Sequence, residues 1–352
     1  MTISIRESVA RMQGYVPGEQ PRTGGFIKLN TNENPYPPSS AVTRALQALD
    51  PADLRLYPDP ACTVLRRAIA DLHRCDPVRV LAGNGLDELL SLCVRAFVPD
   101  GGSVGFMDPS YSLYPVLADI RGLSKRPVAL GARYEWNMPA GYTASLFILT
   151  HPNAPTGLCY DRASVLGFCR SFAGVVVIDE AYVDFSDRDC LEFALSEPNV
   201  LVARTLSKSY SLAGLRVGYL VGPEPLIATL DKIKDSYNLD RVAQCLATAA
   251  VNDQAWMLAN VRRIRDTRAR LQEQLVKRGW EVFPSQSNFI WTRPAGKTAD
   301  AWTMALKDRQ ILVRYFRGPR TSDCLRITVG TDEETDRLLT VLDELASGGT
   351  TR

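Results

Sequence analysis

The sequence predicts an α/β protein in which a mostly parallel sheet flanked by helices is joined to a smaller α+β domain. Three observations point there. First, short apolar runs at Val78–Leu81, Val104–Met107, Leu146–Leu149, Val175–Ile178, Val200–Ala203 and Val217–Val221 alternate with helical patterns such as Glu88–Val98 and Ala163–Phe172. Strands buried on both faces read as continuous apolar runs, and their alternation with helices is the pattern of a parallel sheet. Second, the chain has 352 residues, more than one ordinary hydrophobic core takes up. Third, the pattern changes beyond Asp240 to one long helix followed by short, spaced strands.

The elements follow in order. Residues 1–40 are rich in Pro, Asn and Gly, as in GYVPGEQPRTGG and LNTNENPYPPSS, and read as an ordered arm that packs with the smaller domain. Residues 41–245 hold the alternating runs and form the large domain. Residues 246–352 form the small one. Within it, Asp253–Arg278 is a long helix with Met257, Val261, Ile264, Leu271 and Leu275 on one side and Gly279 as its stop. Strands are expected at Trp280–Val282, Asn288–Trp291, Ile311–Arg314 and Leu325–Val329, and a last helix at Glu333–Leu345.

Composition narrows the function. With 41 basic and 39 acidic residues the net charge is +2, and the charges are mixed along the chain, unlike the basic footprint of a nucleic-acid binder. The N-terminal MTISIRESVARMQ puts charges where a secretory signal needs its apolar core. No apolar run reaches the roughly eighteen residues of a membrane span. Eight cysteines form no CxxC pair and there are two histidines, His73 and His151, so a cysteine–histidine zinc site is not expected. Free thiols in a cytoplasmic protein are the expectation.

The chemistry concentrates just past the apolar runs, where sites in parallel sheets gather. In Val200–Gly218, VLVARTLSKSYSLAGLRVG, Lys208 follows a buried strand, with Ser207 and Arg216 on either side. Partial burial and nearby cations lower a lysine pKa and expose its free amine. An amine beside groups that suit a phosphate dianion is what a pyridoxal phosphate site needs, although a basic loop would read the same in isolation. In GVVVIDEAYVDF, Asp179 leaves a buried strand, where either a helix cap or a pairing with a cationic ring nitrogen satisfies it. Tyr182, three residues on, is placed to bond a phenolic oxygen. LAGNGLDELL puts Gly85, Leu86 and Asp87 at a helix start, where free N–H groups bind phosphate. Tyr111 follows Asp108-Pro-Ser and either stacks on a flat ring or packs the loop. HPNAPTG (151–157) is a turn in which Pro155 is a candidate cis proline. Arg314 and Arg326 sit on strand-like segments of the small domain, where guanidinium forks suit carboxylates and phosphates.

Taken together, these segments resemble the fold-type I pyridoxal-phosphate enzymes, and more closely the histidinol-phosphate aminotransferase family. The resemblance lies in LNTNENP (29–35), LYPDP (56–60), GNGLDELL (83–90), PSY (109–111), PNAPTG (152–157), DEAYVDF (179–185), TLSKSYSLAGLRVGY (205–219), SNFI (287–290) and LRITVGT (325–331). It implies a seven-stranded, mostly parallel sheet in the large domain, a homodimer with shared active sites, and pyridoxal 5'-phosphate as cofactor. It implies that Lys208 carries the cofactor and moves the substrate proton, that Asp179 pairs with the ring nitrogen, that Tyr182 contacts the phenolic oxygen and that Tyr111 stacks on the ring. The phosphate would take Leu86, Asp87, Ser207 and Arg216, with Tyr57 reaching it from the other subunit. Arg326 would bind the α-carboxylate of glutamate or 2-oxoglutarate, and Tyr15 and Arg314 the phosphate of a phosphorylated amino alcohol. The chain departs from the family at Ala154, where an asparagine often stands. Asn153, one residue earlier, is kept as a candidate cofactor contact. An aromatic amino-acid aminotransferase, a threonine-phosphate decarboxylase and a non-catalytic cofactor-binding paralogue are the alternative readings.

Overall fold

A computed structural model describes residues 3–21 and 24–347. Its twelve strands are β1 (Ile27–Leu29), β2 (Val80–Gly83), β3 (Ser103–Asp108), β4 (Ser124–Ala129), β5 (Leu146–Thr150), β6 (Val175–Asp179), β7 (Val200–Thr205), β8 (Gly218–Val221), β9 (Glu281–Val282), β10 (Phe289–Arg293), β11 (Ile311–Tyr315) and β12 (Leu325–Thr328). Seven of them form one sheet in the order β2-β8-β7-β6-β5-β3-β4, in which β8 alone runs against the others. This is the seven-stranded, mostly parallel sheet that the resemblance implied.

Helices cover both faces because successive side chains of each strand point to opposite sides. On one face Ile148, Val177 and Leu201 pack against the helices Gly85–Phe97 and Leu113–Arg121. On the other Phe147, Val176, Ile178 and Val202 pack against the helix Arg162–Ser171. All six apolar runs became strands of this sheet, with β2 beginning at Val80 because Pro77–Arg79 is a 3₁₀ turn.

Two strands escaped the sequence reading. β4, SKRPVA, buries only Val128 and pairs with β3 alone, so no apolar run marks it; its lysine, arginine and proline suit an exposed sheet edge. β1 lies in the N-terminal arm and pairs in parallel with β11, Ile27 opposite Ile311. The second sheet runs β1-β11-β12-β10-β9. Its core joins Leu29, Ile290, Ile311, Val313 and Ile327 to Leu271 and Leu275 of the helix Gln254–Lys277 and to Leu338 and Leu342 of the helix Asp332–Ser347. Among the described residues no helix is long and apolar enough to cross a membrane.

Candidate active site

Strands β2, β3, β5, β6 and β7 all point their carboxyl ends to one side of the large sheet, and the loops that follow them meet the N-terminal arm and the small sheet there. The pocket they enclose has a volume of about 260 Å³. Tyr15, Leu86, Asp87, Tyr111, Asp179, Tyr182, Ser207, Lys208, Arg216, Arg314 and Arg326 all line it. Eleven residues picked from segments as far apart as Tyr15 and Arg326 thus meet in one cavity.

Asp179 and Lys208 come together because β6 and β7 are parallel neighbours, with Asp179 opposite Ala203. The Lys208 Nζ donates to the Thr31 carbonyl at 3.3 Å and lies 5.7 Å from the Tyr182 ring centre. Burial lowers its pKa to about 8, and the guanidinium groups of Arg326 and Arg216 push it the same way while Glu33 and Asp87 oppose. The loop that bears it is pinned by Asn34, whose amide donates to the carbonyls of Lys208 and Ser209, each at 3.1 Å. Asp179 is 3% exposed. Its Oδ2 accepts from the Tyr114 hydroxyl at 2.7 Å and its Oδ1 from the Ala181 N–H at 3.0 Å. Burial raises its pKa to about 6 against both of these bonds.

A second group of residues faces the helix start. Gly85 has φ +78°, and a Cβ there would fall 2.5 Å from the Arg216 Nη2, so glycine lets the guanidinium lie on the turn. Arg216 donates to Ser207 Oγ at 3.4 Å and pairs with Asp87 at 3.6 Å. Tyr111 donates to Asp87 at 3.4 Å and takes Tyr15 edge-on with ring centres 5.7 Å apart.

On the small-sheet side Arg314 and Arg326 stand directly opposite each other on β11 and β12. Like charges so placed repel. Both guanidiniums lie over the Phe316 ring, at 5.1 and 5.3 Å. Arg326 donates to the Asn30 carbonyl at 3.1 Å, and its buried Nε has no partner. Arg314 donates to the Val16 and Pro17 carbonyls at 3.0 and 3.2 Å. The sequence offered Arg314 only as an anion fork, whereas here it also holds the arm over the pocket.

Three candidates lie outside the lining. Gly85 stands just behind it, against Arg216. Asn153 is fully buried and gives its amide to the Pro109 carbonyl and Thr156 Oγ1, at 3.2 and 3.0 Å. It therefore braces the turn, and Ala154 and Pro155 face the cavity instead. The Ala154–Pro155 bond is cis. Tyr57 is 77% exposed and stacks on Tyr237 with ring centres 4.4 Å apart, away from this chain's own pocket.

Several site residues were not singled out from sequence. Asn32 donates to the Tyr182 hydroxyl at 3.0 Å and is itself clamped by Thr328 and Asn288. It supplies Tyr182 with an amide partner from the arm. Its place in LNTNENP (29–35) was the available signal, and its φ of 57° lies in the left-handed region that asparagine tolerates. Tyr114 and Thr150 behind Asp179 left none, being an apolar helix position and a strand end.

The sequence pattern of the aminotransferase class I and II family matches residues 25–342. The chain belongs to this family. It is 48% identical over 344 residues to a histidinol-phosphate aminotransferase of Synechocystis sp., covering 97% of this chain and 98% of that one. It is 43% identical to one from Geobacter sp. over 98% and 99% of the two chains. The crystal structure of histidinol-phosphate aminotransferase from Sinorhizobium meliloti, in complex with pyridoxal-5'-phosphate, superposes with a TM-score of 0.88 over 99% of both chains at 24% identity. The donor set of this chain fits pyridoxal phosphate, the group that the Sinorhizobium meliloti protein holds. A neutralisable lysine amine, a buried carboxylate with no cation bonded to it, a tyrosine for a ring face and an arginine with a hydroxyl at a helix start answer the aldehyde, ring nitrogen, ring and phosphate respectively.

Outside the pocket, His151, Glu180 and Cys190 converge within 4.8 Å. Glu180 pairs there with Arg204 at 2.7 Å and His151 accepts the Tyr160 N–H at 3.1 Å, so both have partners within the protein.

Proposed function

We propose that this chain moves an amino group reversibly between glutamate with 2-oxoglutarate and histidinol phosphate with imidazole-acetol phosphate. The observation that carries the reading is the pair of opposed arginines, Arg314 and Arg326, facing the amine of Lys208 across one pocket. Neither is ion-paired among the described residues, so the pocket presents fixed positive charge to anionic substrates. The names of the relatives at 42–48% identity over nearly the whole chain support histidinol phosphate as one of the substrates.

Bound pyridoxal phosphate supplies an electron sink for bonds at the substrate's α-carbon. Lys208 would hold it through Nζ and, once released, carry the α-proton away and back. Its depressed pKa leaves about a tenth of the amines neutral at pH 7, against a few in ten thousand for a free lysine. Asp179 would keep the ring nitrogen protonated, Tyr182 with Asn32 would hold the phenolic oxygen, and Tyr111 would cover the ring. Arg216, Ser207 and the N–H groups of Leu86 and Asp87 would take the phosphate, with Gly85 giving Arg216 its place. Arg326 would bind the α-carboxylate of glutamate, and Arg314 with Tyr15 the substrate phosphate. One chain would serve a two-chain site: Tyr57, turned away from its own pocket, would reach the phosphate in a second copy, making a homodimer. The arm 1–40, residues 41–245 and residues 246–352 serve as its three structural parts, and its eight free thiols favour the cytoplasm.

The test is a donor panel scored by half-transamination in single turnovers. Histidinol phosphate should bleach the cofactor band at least as efficiently as glutamate does, ahead of phenylalanine, tyrosine and threonine phosphate. A preference for phenylalanine or tyrosine would replace this reading with an aromatic one.

A further inference from the structure

Asp179 is held in a way that singles out one residue behind it. Tyr114, fully buried on the helix Leu113–Arg121, donates to Asp179 Oδ2 at 2.7 Å. The same hydroxyl is hydrogen-bonded to Thr150 Oγ1, which lies 3.2 Å from Ser110 Oγ. An ionised carboxylate only accepts. Tyr114 therefore gives its proton to Asp179, which leaves its oxygen to accept from Thr150, as Thr150 accepts from Ser110. The three O–H dipoles point the same way, toward the carboxylate, and such chains polarise one another.

What matters is that every donor to this carboxylate is neutral. An arginine or lysine in the place of Tyr114 would satisfy the buried charge but compete with a cationic ring nitrogen for it. Phenol and hydroxyl groups, together with the Ala181 N–H, stabilise the anion and leave its charge unspent. The charged groups facing it are Asp87, from the helix Gly85–Phe97, which disfavours the anion, and Lys208, from the loop after β7, which favours it. With those two opposed, the neutral donors are what counters the cost of burial.

We propose that Tyr114, oriented by Thr150 and Ser110, is a positioning residue that keeps Asp179 ionised and aligned for the ring nitrogen of the cofactor. This rests on the reading of Asp179 as the partner of that nitrogen. Tyr114 does not line the pocket, and it acts through the carboxylate.

The experiment is an infrared titration of full-length apoenzyme carrying isotope-labelled aspartate, with the Asp179 band identified by its loss in Asp179→Asn. In Tyr114→Phe the protonation midpoint should rise by about one pH unit or more, tenfold in the ionisation constant, as befits a lost hydrogen bond to a charged group. Thr150→Val keeps the phenol but removes the donor behind it, and should move the midpoint the same way by less. In the loaded enzyme the acid limb of the glutamate half-reaction should move up in step. Midpoints unchanged in both variants would overturn the proposal, and Thr150→Val alone decides the matter should Tyr114→Phe not fold. Half-reaction rates in Asp179→Asn within a few-fold of wild type would overturn the role of Asp179 itself. The two failures stay distinct because the titration is done without cofactor.

Discussion

Lys208 and Asp179 are opposite cases of one effect, since burial disfavours each in its charged form. For Lys208 the consequence is reactivity, and Lys208→Ala should hold the cofactor only without a covalent bond and lose turnover; borohydride reduction and peptide mapping should place the label on the Lys208 peptide of the wild type. For Asp179 the consequence is a cost to the empty protein. Its folded pKa of about 6 lies above the ordinary carboxylate value, so between pH 4 and 6 the folded state binds more protons than the unfolded one, and stability falls as pH rises through that window. Apo Asp179→Asn should then be more stable than apo wild type at pH 8, by roughly 3 kcal/mol, with the gap closing toward pH 4 in denaturant titrations. The same variant should slow the glutamate half-reaction by orders of magnitude. At Gly85 the limit is space. A Cβ 2.5 Å from Arg216 on a left-handed backbone should push the guanidinium off the turn, so Gly85→Ala should weaken cofactor affinity about tenfold or more in equilibrium dialysis.

At the level of elements, the arm and the small sheet close the site together. β1 adds the arm to the small sheet beside β11, and Arg314 of β11 reaches back to the Val16 and Pro17 carbonyls. On the proposed role, substrate phosphate and arm carbonyls would draw on the same guanidinium. Arg314→Ala should cost the histidinol-phosphate half-reaction about 2–4 kcal/mol of transition-state binding and the glutamate one much less. It should also speed limited proteolysis of the arm. Arg326→Ala should harm glutamate more, because it would remove the proposed fork for the α-carboxylate. Single-turnover kcat/KM for each substrate separates the two, and equal losses in Arg314→Ala would leave it a holder of the arm alone.

For the whole molecule, the exposed stack of Tyr57 on Tyr237 fits a residue that serves a second copy. Mixed Tyr57→Phe and Lys208→Ala subunits should regain activity after exchange, since a heterodimer holds one site with both residues intact. Recovery should approach a quarter of wild type at equal mixing, because about half of the dimers are mixed and each of these has one of two sites restored. Failure to recover after verified exchange would separate Tyr57 from the partner's site.

The sheet and most of the pocket were legible in the chain's pattern and motifs alone. Runs such as VVVID and VLVART had to be buried on both faces, and a parallel sheet then had to bring Asp179 and Lys208 to one edge. What the sequence did not determine lay where local pattern carries no information. β4 is a polar edge, and β1 is three residues in a loop-rich arm whose partner lies more than 280 positions away. Asn153 and Ala154 differ by one step along a turn, and only the packed turn shows that the asparagine braces it while the alanine faces the cavity. Tyr114 reads as an ordinary apolar position of a helix until the fold sets its hydroxyl against Asp179. Arg314 reads as a fork for anions until the arm lies down upon it. Chain pattern decides which face of an element is buried, whereas the partner of a buried polar group is decided only when distant elements dock and each desolvated donor must find an acceptor.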